Sequence, residues 1–365
     1  MKKRLDTSYL ISLAISVGAA LLLGALIILL TGHDPISGYG ELVRGAFGSR
    51  RAIGNTLAKT VTLCLCGLAT AVGARGGIFN VGGEGQLYLG GMAAAIIGFV
   101  LHGASPVLAI PVGMLAAIAA GGLYALIPAL LKVKWKVNEV IVTVMLNSAA
   151  IYFCSYLVNG PLKTAEVGIV SGTTSIDPSF RFFKLIPLSD LSSSIIYAAV
   201  IAFLVWYVMQ RTATGFEMKL TGENRRFAFF SGLKTDRITI LAMVASGAIC
   251  GIVGMFEVYS IQGRFVESLS KEFYFDGMLV AMIMRYQPGG IVLMSIFFAA
   301  MKVGGSAMEL NTGISSELIL VIQSIIIFFM AAESGIRASI AQKKANRDAK
   351  LRIRRATSHG EGSNG

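Results

Sequence analysis

Ten apolar runs, separated by short polar or glycine-rich stretches, set the pattern of this chain. They cover roughly 9–31, 55–74, 78–102, 105–131, 138–158, 191–210, 238–260, 274–285, 290–308 and 316–334. A bilayer crossing takes about 20 mostly apolar residues, so nine of the runs predict full transmembrane helices. The run at 274–285 is too short; it either borrows from Phe265–Phe273 or is half of a broken helix. Between the runs, Pro35–Phe47 reads as a short amphipathic outer segment, Gly160–Asp190 as a polar outer loop and Arg211–Arg237 as the longest inner loop. The tail after Arg337 is expected to fray.

Composition fits that pattern. The 365 residues are 55% hydrophobic and 14% charged, with a mean hydropathy of +0.70, against roughly 45–50% and about 25% for a soluble domain. The expected fold is therefore all-α and polytopic, with about ten transmembrane helices. The first run, Tyr9 to Thr31, exceeds the ~7–15 apolar residues of a secretory signal core, so it is read as a first span and no cleaved signal is expected.

A net charge of +12 raises the question of nucleic acid, and the placement of the charge answers it. On this topology 22 of the 32 Lys and Arg residues fall in cytoplasmic segments, which follows the positive-inside rule and puts both termini in the cytoplasm. The basic run Lys343–Arg355 is then a solvated or lipid-contacting end, and no nucleic-acid partner is expected. Lys59 and Lys302 fall within spans. Cys64, Cys66, Cys154 and Cys250 all lie in apolar runs and read as small buried residues, and the three histidines are scattered, so no metal site is expected.

The densest chemistry lies in Gly73–Gly91, GARGGIFNVGGEGQLYLGG, between two spans. Glycines let backbones approach and let a helix break, while a polar group inside a membrane segment faces an interior or a pathway. Asn80, Glu84 and Gln86 lie within seven residues of one another, with Arg75 and free helix amides as candidate partners for the Glu84 carboxylate. Either they offer hydrogen bonds to a passing polar solute, or they form a structural knot that pins the break. Phe79 and Tyr88 either stack on a ring in the pathway or pack against lipid and neighbouring helices. A weak internal echo relates Glu84-Gly85-Gln86-Leu87 to Asp276-Gly277-Met278-Leu279. On the charge-based topology the two would belong to inverted repeats, which places Asp276 beside the same route.

Two further segments carry signals. In Asn138–Asn147, Asn138 reads as an N-cap with Glu139 in the first turn, and Thr143 and Asn147 share a face with Glu139, a stripe that bonds a neighbouring span or lines a polar route. Between Gly222 and Gly232 the sequence predicts one short helix, Glu223–Ser231, that shows Phe227, Ala228, Phe229 and Phe230 to water. It docks into a partner's groove or folds back on the membrane face. The chain contains no Gly-Lys dipeptide, G-x-S-x-G or H-E-x-x-H, so no phosphate loop, nucleophile elbow or zinc-protease motif is present and no catalytic residue is assigned.

Four blocks resemble the permease subunits of type II ABC importers, the branched-chain amino acid and simple-sugar permease superfamily. They are GIFNVGGEGQLYLGG at Gly77–Gly91, NEVIVTVMLN at Asn138–Asn147, GENRRFAFFSGL at Gly222–Leu233 and, more loosely, FYFDGMLVAMIMRYQPGG at Phe273–Gly290. The match is most like the nucleoside permeases that work with lipoproteins of the basic membrane protein type. The resemblance implies a permease domain over 1–335 with a coupling loop at 211–237 and a basic tail at 336–365. It also implies an ATP-driven nucleoside importer in which this chain forms half of the pathway. The implied partners are an ATP-binding subunit that holds ATP-Mg, a second homologous permease, a substrate-binding lipoprotein and membrane lipid; this chain itself would hold no cofactor. Gly222, Glu223, Asn224, Phe227, Ala228, Phe229 and Gly232 occupy the place of the family's ATPase-coupling helix, where the usual small-residue pair is here Ala228-Phe229, with Phe230 following, a bulkier centre. Asn80, Glu84, Gln86, Phe79, Asn147 and Asp276 are the pathway candidates. A near alternative changes the cargo to ribose, another simple sugar or a branched-chain amino acid. An alternative of another class is an ion-coupled carrier working alone through Glu84 or Asp276.

Overall fold

The computed structural model describes residues 7–164 and 171–329, and among these the regular structure is helical apart from two isolated β-bridges, Gly172–Val266 and Lys184–Ser192. The helices are α1 (Thr7–Leu30), α2 (Pro35–Phe47), α3 (Arg50–Arg75), α4 (Gly83–Val100), α5 (Pro106–Trp135), α6 (Glu139–Asn159), α7 (Ser194–Arg211), α8 (Ala213–Glu223), α9 (Arg225–Phe230), α10 (Thr235–Phe256), α11 (Phe273–Ile283), α12 (Pro288–Thr312) and α13 (Glu317–Phe329). A π-helical turn, Glu257–Gln262, continues α10. Each predicted span falls on one of these helices, and α2 coincides with the predicted amphipathic segment. The end of the last span and the basic tail at 336–365 lie outside the described residues.

Six helices, α3, α5, α6, α7, α10 with its π turn, and α12, are long and apolar enough to cross a membrane; Val17–Leu30, α11 and α13 are shorter and apolar. The doubt over the eighth run is resolved. The chain from Phe265 to Glu272 is not helical, and α11 has 11 residues, about 16 Å, roughly half a bilayer core. It is a half-helix.

Local sequence sets the helix ends. The Ser49 hydroxyl accepts from Ala52 N–H to start α3, Pro106 stands in the first turn of α5 where its missing N–H costs nothing, and Asn138 Oδ1 accepts from Val140 and Ile141 N–H to start α6.

The chain divides into two compact units. In one, formed by the described parts of 1–39 and 308–365, Gly24 of α1 makes room for the Tyr39 hydroxyl and Ile322, and Tyr39 donates to Leu21 O at 2.6 Å. The other, 40–307, holds the candidate site. Its centre is α3 and α10, with 83% and 72% of their apolar windows buried, whereas α6 and α7 are 22% buried and turn most of their apolar surface outward. Lipid tails give no hydrophobic drive for helices to associate, so close packing of small residues must supply it. It does so where α4, α5 and α10 meet: Gly90 and Gly121 lie against Gly251, and Gly254 lies against Leu87 O and Gly91. A methyl at Gly251 would run into Ala117 O.

Candidate functional site

The predicted break is real, and its polar residues are spent on holding it. Helix α3 ends at Gly76, whose N–H turns back to Val72 and Gly73 carbonyls, and Gly77 follows in the left-handed region at φ +75°. Residues Ile78–Val81 then lead to α4, which opens in the interior with amides that no water can satisfy. Asn147 of α6 supplies the missing peptide partner: its Oδ1 accepts from Gly85 N–H and its Nδ2 donates to Val81 O, both at 2.8 Å. Asn80 closes the other side. Its Oδ1 accepts from Gly82 N–H at 2.9 Å, and its Nδ2 donates to Gln86 Oε1 at 2.8 Å and to Ser246 Oγ of α10 at 2.9 Å.

The first turn of α11 locks onto the same place. Tyr274 lays its ring against Gly83, donates its hydroxyl to Asn80 O at 2.5 Å, and gives its own N–H to Glu84 Oε2 at 3.0 Å. Glu84 is thus held at the N-terminus of α4, where the helix dipole favours a carboxylate, with the Ser270 hydroxyl also facing it. The expected Arg75 partner is a correction: Arg75 Nη2 donates to Met209 O at the end of α7, at 3.2 Å, on the other side of the turn. Asn80, Glu84, Gln86 and Asn147 are all buried and Phe79 is half-buried. The structure brings the first four together in one hydrogen-bonded cluster, and leaves Phe79 on its margin. Asp276, in the same first turn of α11, forms an ion pair with Lys302 of α12. Tyr88 packs edge-on to Phe265 and donates to Ser270 O at 3.2 Å. In the Asn138 stripe, Thr143 bonds back to Glu139 O at 2.7 Å, and Glu139 pairs with Lys132 at 2.5 Å.

The inner loop departs from expectation. The single helix predicted over Glu223–Ser231 is two: Glu223 ends α8, and Asn224 leaves helical geometry (φ −153°) to cap α9, accepting from Phe227 N–H at 3.0 Å. Ala228 is also corrected, since it is fully buried within the chain rather than shown to water. The presented face is Phe216, Phe227, Phe229 and Phe230, all more than half exposed. Gly222 is exposed on one side and on the other rests on the end of α3, where an added methyl would stand 2.6 Å from Arg75 O; Gly77 faces Gly222 in turn. Thr239 of α10 donates to Gly76 O at 3.2 Å, and Arg225 pairs with Asp236 at 2.6 Å. The inner loop, through Gly222, and the polar cluster, through Ile78–Val81, therefore both adjoin one turn, Gly76–Gly77. Tyr274 and Ser246 had no signal in the sequence, being ordinary interior residues 194 and 166 positions from Asn80.

The family described as branched-chain amino acid transport system / permease component matches residues 52–331. The guanosine ABC transporter permease protein of Bacillus subtilis is 32% identical over 352 residues, 94% of this chain and 99% of that one. The nucleoside ABC transporter permease protein of Lactococcus lactis is 30% identical over 341 residues, 91% and 93% of the two chains. The glucose ABC transporter permease protein of Haloferax volcanii is 30% identical over 333 residues, 87% and 85%. No solved structure matches.

Proposed function

The chain belongs to the permease family of the branched-chain amino acid transport system, and from that premise we propose that it conducts nucleosides through the cell membrane as half of an ATP-driven importer. As a permease of this family it is a multi-pass membrane protein and a transport subunit rather than an enzyme, and ATP hydrolysis belongs to a partner subunit. A second permease completes the pathway, and a lipoprotein delivers the cargo. The cargo reading rests on the guanosine and nucleoside permeases that align with most of this chain. The glucose permease keeps a simple sugar as the alternative. Both termini and α8–α9 face the cytoplasm, as the excess of Lys and Arg there supports.

One observation carries the mechanism. An aromatic face that water should not see, Phe227, Phe229 and Phe230, stands on a segment whose Gly222 rests directly on the end of α3. Docked in an apolar groove of the ATPase, that face moves with it. Gly222 passes the motion to the Gly76–Gly77 turn, and the knot carries it to α4, α6, α10 and α11. The polar cluster Asn80–Glu84–Gln86–Asn147 serves here as the rigid joint of the moving helices, with Phe79 and Asp276 nearer the route of the cargo.

The test is Phe229→Asp in the reconstituted complex. A charge forced into an apolar groove is left unpaired, so substrate-stimulated ATP hydrolysis should fall at least tenfold while the chain still inserts. Unchanged stimulation would remove α9 from the coupling role.

A further inference from the structure

Ionisable side chains from several elements gather near the start of α11, apart from the amide cluster: Lys59 of α3, Glu257 at the first position of the π turn, Asp276 of α11, Lys302 of α12 and, from the loop before α7, Asp190, whose carboxylate lies 3.9 Å from the Lys184 ammonium. Asp276 and Lys302 neutralise each other as an ion pair. Lys59 and Glu257 are held differently. Glu257 is buried and its Oε1 accepts from the Thr62 hydroxyl at 2.6 Å, while the Lys59 ammonium stands 3.5 Å from the centre of the Phe273 ring, with no ion pair among the described residues. Lys59 is partly exposed and lies four residues, about 6 Å, inside the outer end of the predicted 55–74 span.

A structural ion pair would close these two groups on each other, because an unpaired charge within a span is costly. Instead a hydroxyl holds the carboxylate and a ring holds the ammonium, so each keeps hydrogen-bonding capacity. The π turn is an interruption of the kind that often marks functional sites, and α11 is a half-helix of the kind that builds transporter sites. An ammonium donates to a hydroxyl oxygen and a carboxylate accepts from a hydroxyl hydrogen, and together they match the two faces of a vicinal diol.

We infer that Lys59 and Glu257, with Thr62 orienting the carboxylate, form a recognition point for the hydroxyls of the pentose as cargo passes the outer part of the membrane. The inference rests on the nucleoside reading and names the part of the cargo that the permease itself inspects.

The experiment compares uptake of a ribonucleoside with its 2′,3′-dideoxy analogue in proteoliposomes holding the complete importer, with the binding lipoprotein saturated by either. The wild type should move the ribonucleoside about tenfold faster, since a site built for hydroxyls discriminates against their loss. Lys59→Met and Glu257→Gln should bring the ratio close to one by slowing the ribonucleoside, and Thr62→Val should lower it in the same direction if either of those variants assembles poorly. Because a ratio within one preparation is read, general damage does not imitate the result. A wild-type ratio of one, or variants that keep the wild-type ratio, overturns the site. A wild type that moves neither nucleoside but moves free ribose contradicts the nucleoside reading instead, and the same variants are then read with ribose against 2-deoxyribose.

Discussion

At the scale of single residues, Asn147 does the work of a peptide unit that the broken helix lacks. Asn147→Leu leaves Gly85 N–H and Val81 O buried without partners, at about 1–3 kcal/mol each, so the melting temperature in detergent should drop by several degrees. Asn147→Asp keeps the acceptor for Gly85 and loses only the donor to Val81, and should fall between. An unshifted melt for Asn147→Leu would mean the clamp is dispensable. Asp177, in the loop between α6 and α7, makes a second clamp outside the spans. Its carboxylate is held down at about 2 by Gly103 N–H, then by the N–H and hydroxyl of Ser179. A lowered carboxylate pKa stabilises above its unfolded value near 4 and loses that contribution as pH falls toward 2. Amide protection at Gly103 and Ser179 should therefore hold at pH 5 and decline toward pH 2, and Asp177→Asn should flatten that dependence. Asn138 was legible as a cap because its signal is local. Glu257 was not, because its partner Thr62 lies 195 positions away.

At the scale of elements, the break between α3 and α4 was readable from glycines and amides clustered over a few residues, whereas its use was not. Both a knot and a pathway need the same residue types, and the bonds that tie the cluster together come partly from Tyr274 and Ser246, which arrive from α11 and α10. The split of the inner helix did have a signal in Asn224, a strong capping residue three positions before Phe227, which the glycine-to-glycine reading overlooked. Two predictions belong here. Gly222→Ala places a methyl 2.6 Å from Arg75 O and must lift α8 and α9 off the end of α3; nucleoside uptake should fall severalfold while the ATPase still copurifies, and normal uptake would show that this contact transmits nothing. Gly251→Leu forces apart the α4, α5 and α10 contact, where overpacking costs about 1–3 kcal/mol or more, and should lower the yield of folded protein in detergent; a wild-type yield would mean the close approach is not needed.

At the scale of the whole molecule, the alternation of apolar runs carried most of the architecture, since ten runs became ten helices and the excess of positive charge supplied an orientation. Cysteines test that orientation on a cysteine-free background. Thr174 and Glu223 are both exposed; Thr174→Cys should label with an impermeant maleimide from outside, and Glu223→Cys only after permeabilisation. The reverse would turn the molecule over and take α8 and α9 away from any cytoplasmic ATPase. What drives transport remains the sharpest division between a subunit of an ATP-driven importer and a carrier working alone, and one measurement addresses it: uptake of a labelled nucleoside into proteoliposomes that hold the complete complex, with lumenal ATP clamped, sodium absent and a protonophore present. The account predicts uptake that persists without any ion gradient and stops when the partner ATPase is catalytically dead. Uptake that needs a proton or sodium gradient, and proceeds with this chain alone, would contradict it.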